Sequence, residues 1–297
     1  MLSGHTGLIL LFPILLMAIA VFLVTGLWKR TKIGRILFQP TKRSPLRDNL
    51  LRSPGQTIHD MLLDKTLDFA SDLWSLLFIA FIGLFFVPLL IGWSFLSLLV
   101  WFILGAFVLW ILYRFRTRSR EMQDLRLGLD GELATAEELS QLMYHDYYVF
   151  HDFPGDRFNI DHIAIGPAGV FAVETKTRSK AVGKGKQSAM VIFEESRLKF
   201  PNFQESESIQ QAKDQSKWLS EFLAKSVGKA ITVKPVLALP GWLVERRSKD
   251  ASIIVINPKE AVTYVTSNPK VLDEQTIQQI KYQVEQRCRT IEPYKPL

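Results

Sequence analysis

Two kinds of hydrophobic pattern divide the chain. Residues 7–28 and 72–113 are long, nearly uncharged apolar runs, and each stretch of about 20 such residues is long enough to cross a bilayer. Pro88 and Gly92-Trp93-Ser94 interrupt the second run, which reads as a tight hairpin of two spans. The pattern therefore predicts spans over 7–28, 73–91 and 95–113, with one bent or re-entrant element as the alternative for the last two. Beyond residue 120 the periodicity becomes that of a globular domain. Leu133, Ala136, Leu139 and Leu142 recur at helical spacing and predict a helix over 130–143, with Asp130 as its cap. Strands are predicted over 147–153, 158–165, 170–175 and 189–193. A helix over 206–225 has Ile209, Ala212, Trp218 or Gln215, Leu219 and Phe222 for its buried face. The apolar runs 233–239 and 253–256 read as buried strands, and 273–287 as a last helix. This order predicts a mixed α/β fold, a central sheet flanked by helices, over residues 121–297, behind a transmembrane region over 1–120.

Charge sets an orientation. Residues 1–120 carry 13 Lys/Arg against 5 Asp/Glu, and the remainder 23 against 24. The net charge of +7 thus belongs to the membrane flanks, and a general pI argument for nucleic-acid binding fails. Lys29, Arg30, Lys32 and Arg35 follow the first span, and Arg114, Arg116, Arg118 and Arg120 the third. Three spans with the N-terminus outside place both clusters, the linker 29–72 and the domain in the cytoplasm of an inner or plasma membrane. A cleaved signal peptide competes for the first run, because Ala18-Ile19-Ala20 resembles a cleavage site. No Lys or Arg precedes the run, however. Asp60, Asp64, Asp68 and Asp72 form one acidic stripe on a helix, read as its solvated side in preference to a docking face for a basic partner.

Cys288 is the only cysteine, and His5, His59, His145, His151 and His162 show no metal-ligand spacing, so a zinc cluster is excluded. The candidate chemistry lies in the hairpin. With Pro167 and Ala168 at the centre of its turn, Ile165 faces Val170, and counting outward sets Asp161 opposite Glu174. Directly opposed side chains share a face, and Lys176, two residues on, shares it too. Opposed carboxylates repel, and a divalent cation is the simplest compensation; an ion network without metal is the alternative. His162 points to the other face and reads as packed or hydrogen-bonded. The basic stretch Lys176, Arg178, Lys180, Lys184, Lys186, Arg197, Lys199 is either a phosphate-contacting loop or a solvated one.

These residues resemble a known family. Gly128-Leu129-Asp130-Gly131-Glu132 and the run from Ile160 through Asp161, the Gly166-Pro167-Ala168-Gly169 turn and Glu174-Thr175-Lys176 are similar to the motifs of the nuclease-related domain, NERD, over about 127–239. NERD belongs to the PD-(D/E)XK restriction-endonuclease-like superfamily. Glu207-Ser208 stand where that family usually has Asn-Pro, and Gln211 matches its following Gln. The resemblance implies that Asp161 and Glu174 hold Mg²⁺ or Mn²⁺, and that Lys176 positions or deprotonates water or neutralises charge. It implies a further carboxylate from Glu132, and a water or phosphate contact from Gln211. The expected partners are DNA, ahead of RNA, and the lipid bilayer, with a homo-oligomer left open. The expected function is a membrane-anchored, metal-dependent nuclease. A catalytically inactive module binding nucleic acid or protein, and a membrane scaffold, are the competing readings.

Overall fold

The computed structural model describes residues 50–81, 83, 95–180, 189–247 and 252–289. The chain forms two compact units, one containing Met61–Gln123 and the other Leu46–Asp60 with Asp124–Pro293. Two long helices, α1 (Gln56–Phe81) and α2 (Phe95–Ser140), contribute residues to both.

Within the first unit, α1 and α2 are joined by ion pairs. Arg118 pairs with Asp72 and approaches Asp68 at 3.9 Å, Arg114 stands 3.8 Å from Asp72, and Lys65 pairs with Glu121. The Phe69 and Phe115 rings lie 4.2 Å apart between them. The acidic stripe is therefore not simply a solvated side. Asp72 is buried, and a buried carboxylate persists where a guanidinium compensates it. Among the described residues, α2 is the one helix long and apolar enough to cross a membrane, where the sequence pattern predicts three spans. Leu98, Phe102, Leu109 and Tyr113 project outward from it, more apolar surface than a water-facing helix ordinarily carries. The expected span 7–28 lies outside the described residues, and of 73–91 only 73–81 and 83 are described, the former completing α1.

Helix 130–143 is a finding of a different kind: α2 begins at Phe95, so Asp130 is an interior residue and not a cap. Residues 114–127 contain good helix formers and no proline, and Gly128 and Gly131 each cost about 1 kcal/mol relative to Ala without breaking the helix. A short 3₁₀ turn (Gln141–His145) ends it.

The second unit holds a five-stranded sheet in the order β1-β2-β3-β7-β9 and a four-stranded sheet in the order β6-β5-β4-β8. In the larger sheet β1 (Tyr148–Pro154), β2 (Asn159–Gly166) and β3 (Gly169–Thr175) run antiparallel in sequence. β7 (Val233–Ala238) and β9 (Ile254–Ile256) then add in parallel. The smaller sheet comprises β4 (Met190–Glu194), β5 (Arg197–Lys199), β6 (Gln204–Glu205) and β8 (Leu243–Arg246). Of these the sequence pattern indicates only β4. β6 and β8 have no fully buried residue, so they carry no apolar run to read.

Every residue of β3 is buried, because both faces of the sheet are covered. On one face Ile163, Ile165, Val170 and Ala172 pack against Leu219 and Leu223 of α3 (Glu207–Val227) and Ile277, Ile280 and Val284 of α5 (Glu274–Cys288). On the other, Ala164, Phe171 and Val173 meet Leu139, Leu142 and α4 (Ala261–Thr266). Asp273 caps α5, its carboxylate accepting from the Thr276 N–H at 2.8 Å. The predicted hairpin register holds: Ile165 pairs with Val170, and Gly166 with Gly169 around Pro167-Ala168. Gly169 takes φ 122°, which a side chain disfavours. Gly166 presses on the Tyr147 ring, where an added Cβ would meet it at 2.3 Å, and the Tyr147 hydroxyl accepts from the Ala168 N–H.

The β1–β2 ladder runs regularly to His151↔His162, resumes at Phe153↔Ile160, and omits Asp152 and Asp161 between them. Asp152 adopts φ 49° there. The interruption resets the alternation, so that Phe150 and Phe153, and likewise Ile160 and Ile163, enter the same core.

Candidate active site

Three elements bring acidic side chains together: α2 supplies Glu132, β2 supplies Asp161 and β3 supplies Glu174. Glu174 and Glu132 are buried and Asp161 is half-buried. Asp161 Oδ2 accepts from the Thr175 N–H at 2.7 Å, which ties the β2 carboxylate to the end of β3. Glu174 shares its face with Val170 and Ala172 and so points toward α3. There the Gln215 Nε2 donates to Glu174 Oε2 at 2.8 Å and to the Asn159 carbonyl at 3.1 Å. Lys176 follows, its backbone N–H bound to the Ala238 carbonyl of β7.

These groups are near enough for their charges to act on one another. Burial, and then the negative charges of Glu174 and Glu132, push the Asp161 carboxyl well above its ordinary range; the Thr175 N–H and Lys176 oppose the shift. Glu174 is raised by burial, against the Gln215 hydrogen bond and the Lys176 charge. Glu132 is raised to about 7 by burial and by the charges of Asp152 and Glu174, with the Gly55 N–H pulling the other way. A site that drives three carboxyls upward together is deficient in positive charge.

The donor set fits a hard divalent cation. Asp161 Oδ2 and Glu174 Oε2 are held by protein donors, while no described residue hydrogen-bonds to Asp161 Oδ1 or Glu174 Oε1. Among the described residues no three His, Cys, Asp or Glu side chains are grouped so as to hold an ion by themselves. Two carboxylates with open positions beside them suit Mg²⁺, which keeps several waters and takes one or two protein carboxylates. Of the buried side-chain atoms without a protein partner among the described residues, His162 Nε2 lies on the other face of the sheet and the rest are on residues near these in the chain or in contact with them. Thr175 and Thr177 flank Lys176, Thr135 lies one turn beyond Glu132, and Gln215 Oε1 is on the side chain that holds Glu174. Buried polar atoms without protein partners are expected where a polar ligand or ordered water belongs.

Glu132, Asp161, Glu174 and Lys176, which the sequence indicates, lie on α2, on β2, and at and just past the end of β3. Gln211 lies one helical turn before Gln215, half-buried on the same helix, but the glutamine that donates to Glu174 is Gln215. A polar residue amid the buried stripe Ile209, Ala212 and Leu219 was the available signal. Asp152 and Asn159 were not indicated at all, because their roles depend on the break in β1–β2 pairing. His162 lies on the other face of the sheet, and its Nδ1 is 2.8 Å from the His151 Nδ1. His162 is buried and His151 half-buried, and the loss of solvent lowers both rings, His151 to about 4 and His162 well below its ordinary value. In the basic stretch, Arg178 pairs with Glu205, Lys199 lies 2.6 Å from Glu194, and Lys180 stacks over Trp242. Lys184 and Lys186 lie outside the described residues.

Gly131 explains part of the Gly-x-x-Gly-Glu motif. A Cβ there would fall 1.6 Å from Thr177 Oγ1 and 2.8 Å from its Cβ. Only a glycine lets α2 approach the segment after β3 closely enough to place Glu132 beside Glu174. Gly131→Ala should therefore displace the helix, and any metal-dependent nicking of supercoiled plasmid should fall about a hundredfold, as misplacement by an ångström does. Adding Thr177→Gly should recover part of that loss in the same nicking assay. No recovery would show that the contact is not what limits the variant.

No curated protein and no solved structure matches the chain. Residues 127–240, which carry Glu132, Asp161, Glu174, Lys176, Gln211 and Gln215, match the family model of NERD, the nuclease-related domain.

Proposed function

We propose that this protein is a membrane-anchored, divalent-metal-dependent nuclease of the PD-(D/E)XK type, hydrolysing phosphodiester bonds of DNA, with RNA as the alternative substrate, at the cytoplasmic face. The observation that carries the reading is the convergence of Asp161, Glu174 and Glu132 in one buried, electron-rich site beside Lys176. That convergence lies inside a nuclease-related domain, which supports a nuclease-like function and a divalent metal.

Asp161 Oδ1 and Glu174 Oε1 would hold Mg²⁺ or Mn²⁺. The ion supplies Lewis acidity at the scissile phosphate and makes water a stronger acid. Lys176 sets a positive charge next to the carboxylates, where it stabilises negative charge building on the phosphate. Gln215 fixes Glu174 through its Nε2, and its buried Oε1 is an acceptor for a proton of the attacking water. Glu132 has a carboxyl raised to about 7, matched to proton transfer at neutral pH. Gln211, one turn nearer the start of α3, would contact phosphate, as the family resemblance implies. Anchoring is supported by the outward apolar face of α2, and the cytoplasmic assignment by Arg114, Arg116, Arg118 and Arg120, which follow its apolar part within the same helix.

One experiment tests both halves. Membrane vesicles bearing the full chain with the cytoplasmic face outward should nick supercoiled plasmid with Mg²⁺ or Mn²⁺. Vesicles sealed the other way should do so only after detergent. Lys176→Met should reduce nicking by about 10²–10⁴-fold, the range for losing a group that assists proton transfer or charge development. No metal-dependent difference between wild type and Lys176→Met would reject the catalytic assignment.

A further inference from the structure

The segment just ahead of α1, residues 50–59, lies outside the part of the chain that matches the nuclease-related domain, yet it belongs to the same compact unit. It is fastened to that unit by a dense polar knot. The Arg52 Nε donates to Asp152 Oδ2 at 2.7 Å, and its Nη2 bonds the same oxygen and, at 2.8 Å, Thr57 Oγ1. Thr57 donates to Asp152 Oδ2 from its N–H at 3.2 Å and from its hydroxyl at 2.9 Å. The Asn159 amide donates to Asp152 Oδ1 at 3.0 Å and to Thr57 Oγ1. The Arg52 N–H reaches the Cys288 carbonyl at the end of α5. Asp152 is 3% exposed, so its charge depends on this one guanidinium and these donors.

Two routes lead from the knot to the carboxylates. Asn159, held through its side chain by Asp152 and Thr57, accepts at its carbonyl from Gln215 Nε2, which also donates to Glu174. Gly55, three residues from Arg52, takes φ 68° and lies against the Glu132 carboxylate, where an added Cβ would stand 3.6 Å from Oε2. The family-like site is thus steadied from a segment upstream of it.

We propose that residues 52–57 form a strap that positions the active-site carboxylates, Arg52, Thr57 and Gly55 acting through Asp152, Asn159 and Glu132 as positioning residues. The inference rests on the nuclease reading for its activity readout but not for its binding readout.

The test uses the full chain in detergent with Mn²⁺ alone as the probe. Arg52→Ala should weaken Mn²⁺ binding, measured by calorimetry, by about 10–100-fold, the usual effect of removing a residue that orients a metal ligand. kcat for nicking should fall by a similar factor with KM little changed, and Arg52→Lys should lie between. In wild type, Mn²⁺ should slow hydrogen exchange across residues 50–59; in Arg52→Ala it should not. Where Arg52→Ala does not fold, Thr57→Val carries the same three readouts. If the variants melt earlier but keep wild-type Mn²⁺ affinity and kcat, the strap is only a structural tie and the proposal is overturned. If wild type binds Mn²⁺ and protects the strap but cleaves nothing, the nuclease reading fails and the strap stands.

Discussion

Glu174→Gln should lose at least about a thousandfold in metal-dependent nicking while the metal-free protein melts at a higher temperature than wild type. The first effect follows from removing one of the two carboxylates that would hold the cation, since Lewis acidity, charge stabilisation and water orientation then fail together. The second follows from the site's own electrostatics. Glu174 is buried, is raised by that burial, and raises both Asp161 and Glu132. An amide of the same size keeps the packing against α3 and removes one of three mutually repelling charges. Gain of stability with loss of activity separates a functional defect from misfolding, which would lower both. Nicking by Glu174→Gln within tenfold of wild type would sink the assignment of Glu174 as a metal-holding residue.

The second large effect is on pH-dependent stability. Glu132 titrates at about 7 in the folded chain against 4.5 in the reference state, so the folded form holds its proton longer. A carboxyl raised on folding destabilises the ionised fold: its contribution is most favourable below 4.5 and worsens as pH rises through about 7. His151, lowered to about 4 from 6.5, acts in the opposite direction below pH 6.5, where the unfolded ring gains a proton that the buried ring refuses. Between pH 6.5 and 8 the unfolded His151 and His162 rings lose the rest of their charge, which offsets much of the Glu132 effect, and the raised Asp161 and Glu174 carboxyls tip the balance toward lower stability. Glu132 alone should cost about 1 kcal/mol across that interval. For a unit of this size that is a fall of roughly 3 °C in melting temperature, and Asp161 and Glu174 add in the same direction. With saturating Mn²⁺ the trend should reverse, because the ion binds the ionised form and does so better as pH rises. Melting of the full chain at pH 6.5, 7.25 and 8, with and without Mn²⁺, measures this. A metal-free melting temperature that stays level or climbs over this interval would contradict the repulsive cluster.

Much of this site was legible from residue order because it sits where hydrophobic alternation is strongest. The Gly166–Gly169 turn sets the register of β2 and β3, and the register puts the carboxylates and Lys176 at one end of the hairpin. The two helices that cover that face, α3 and α5, were legible for the same reason, since a single apolar stripe faces the sheet. What the pattern could not convey was set by tertiary contact. The true length of α2 was hidden because no cap or proline marks where its apolar part gives way to its polar part. The smaller sheet was hidden because β5, β6 and β8 are two to four residues long with few buried side chains. The choice of Gln215 over Gln211 for Glu174 depends on the height of α3 above β3, a distance that helical periodicity leaves free. The Arg52–Asp152 knot joins residues a hundred positions apart and has no local signature.

The phase change at Asp152 and Asp161 confines the site to one address. The neighbours of Asp161 on its strand, Ile160 and His162, are both fully enclosed, one within the aliphatic interior and the other against a second imidazole. An acid shifted one step either way would be sealed from solvent and from any incoming phosphate. Drift of the carboxylate along its strand is therefore closed off, and grafting this site onto another scaffold would require transferring both kinked strands as one piece.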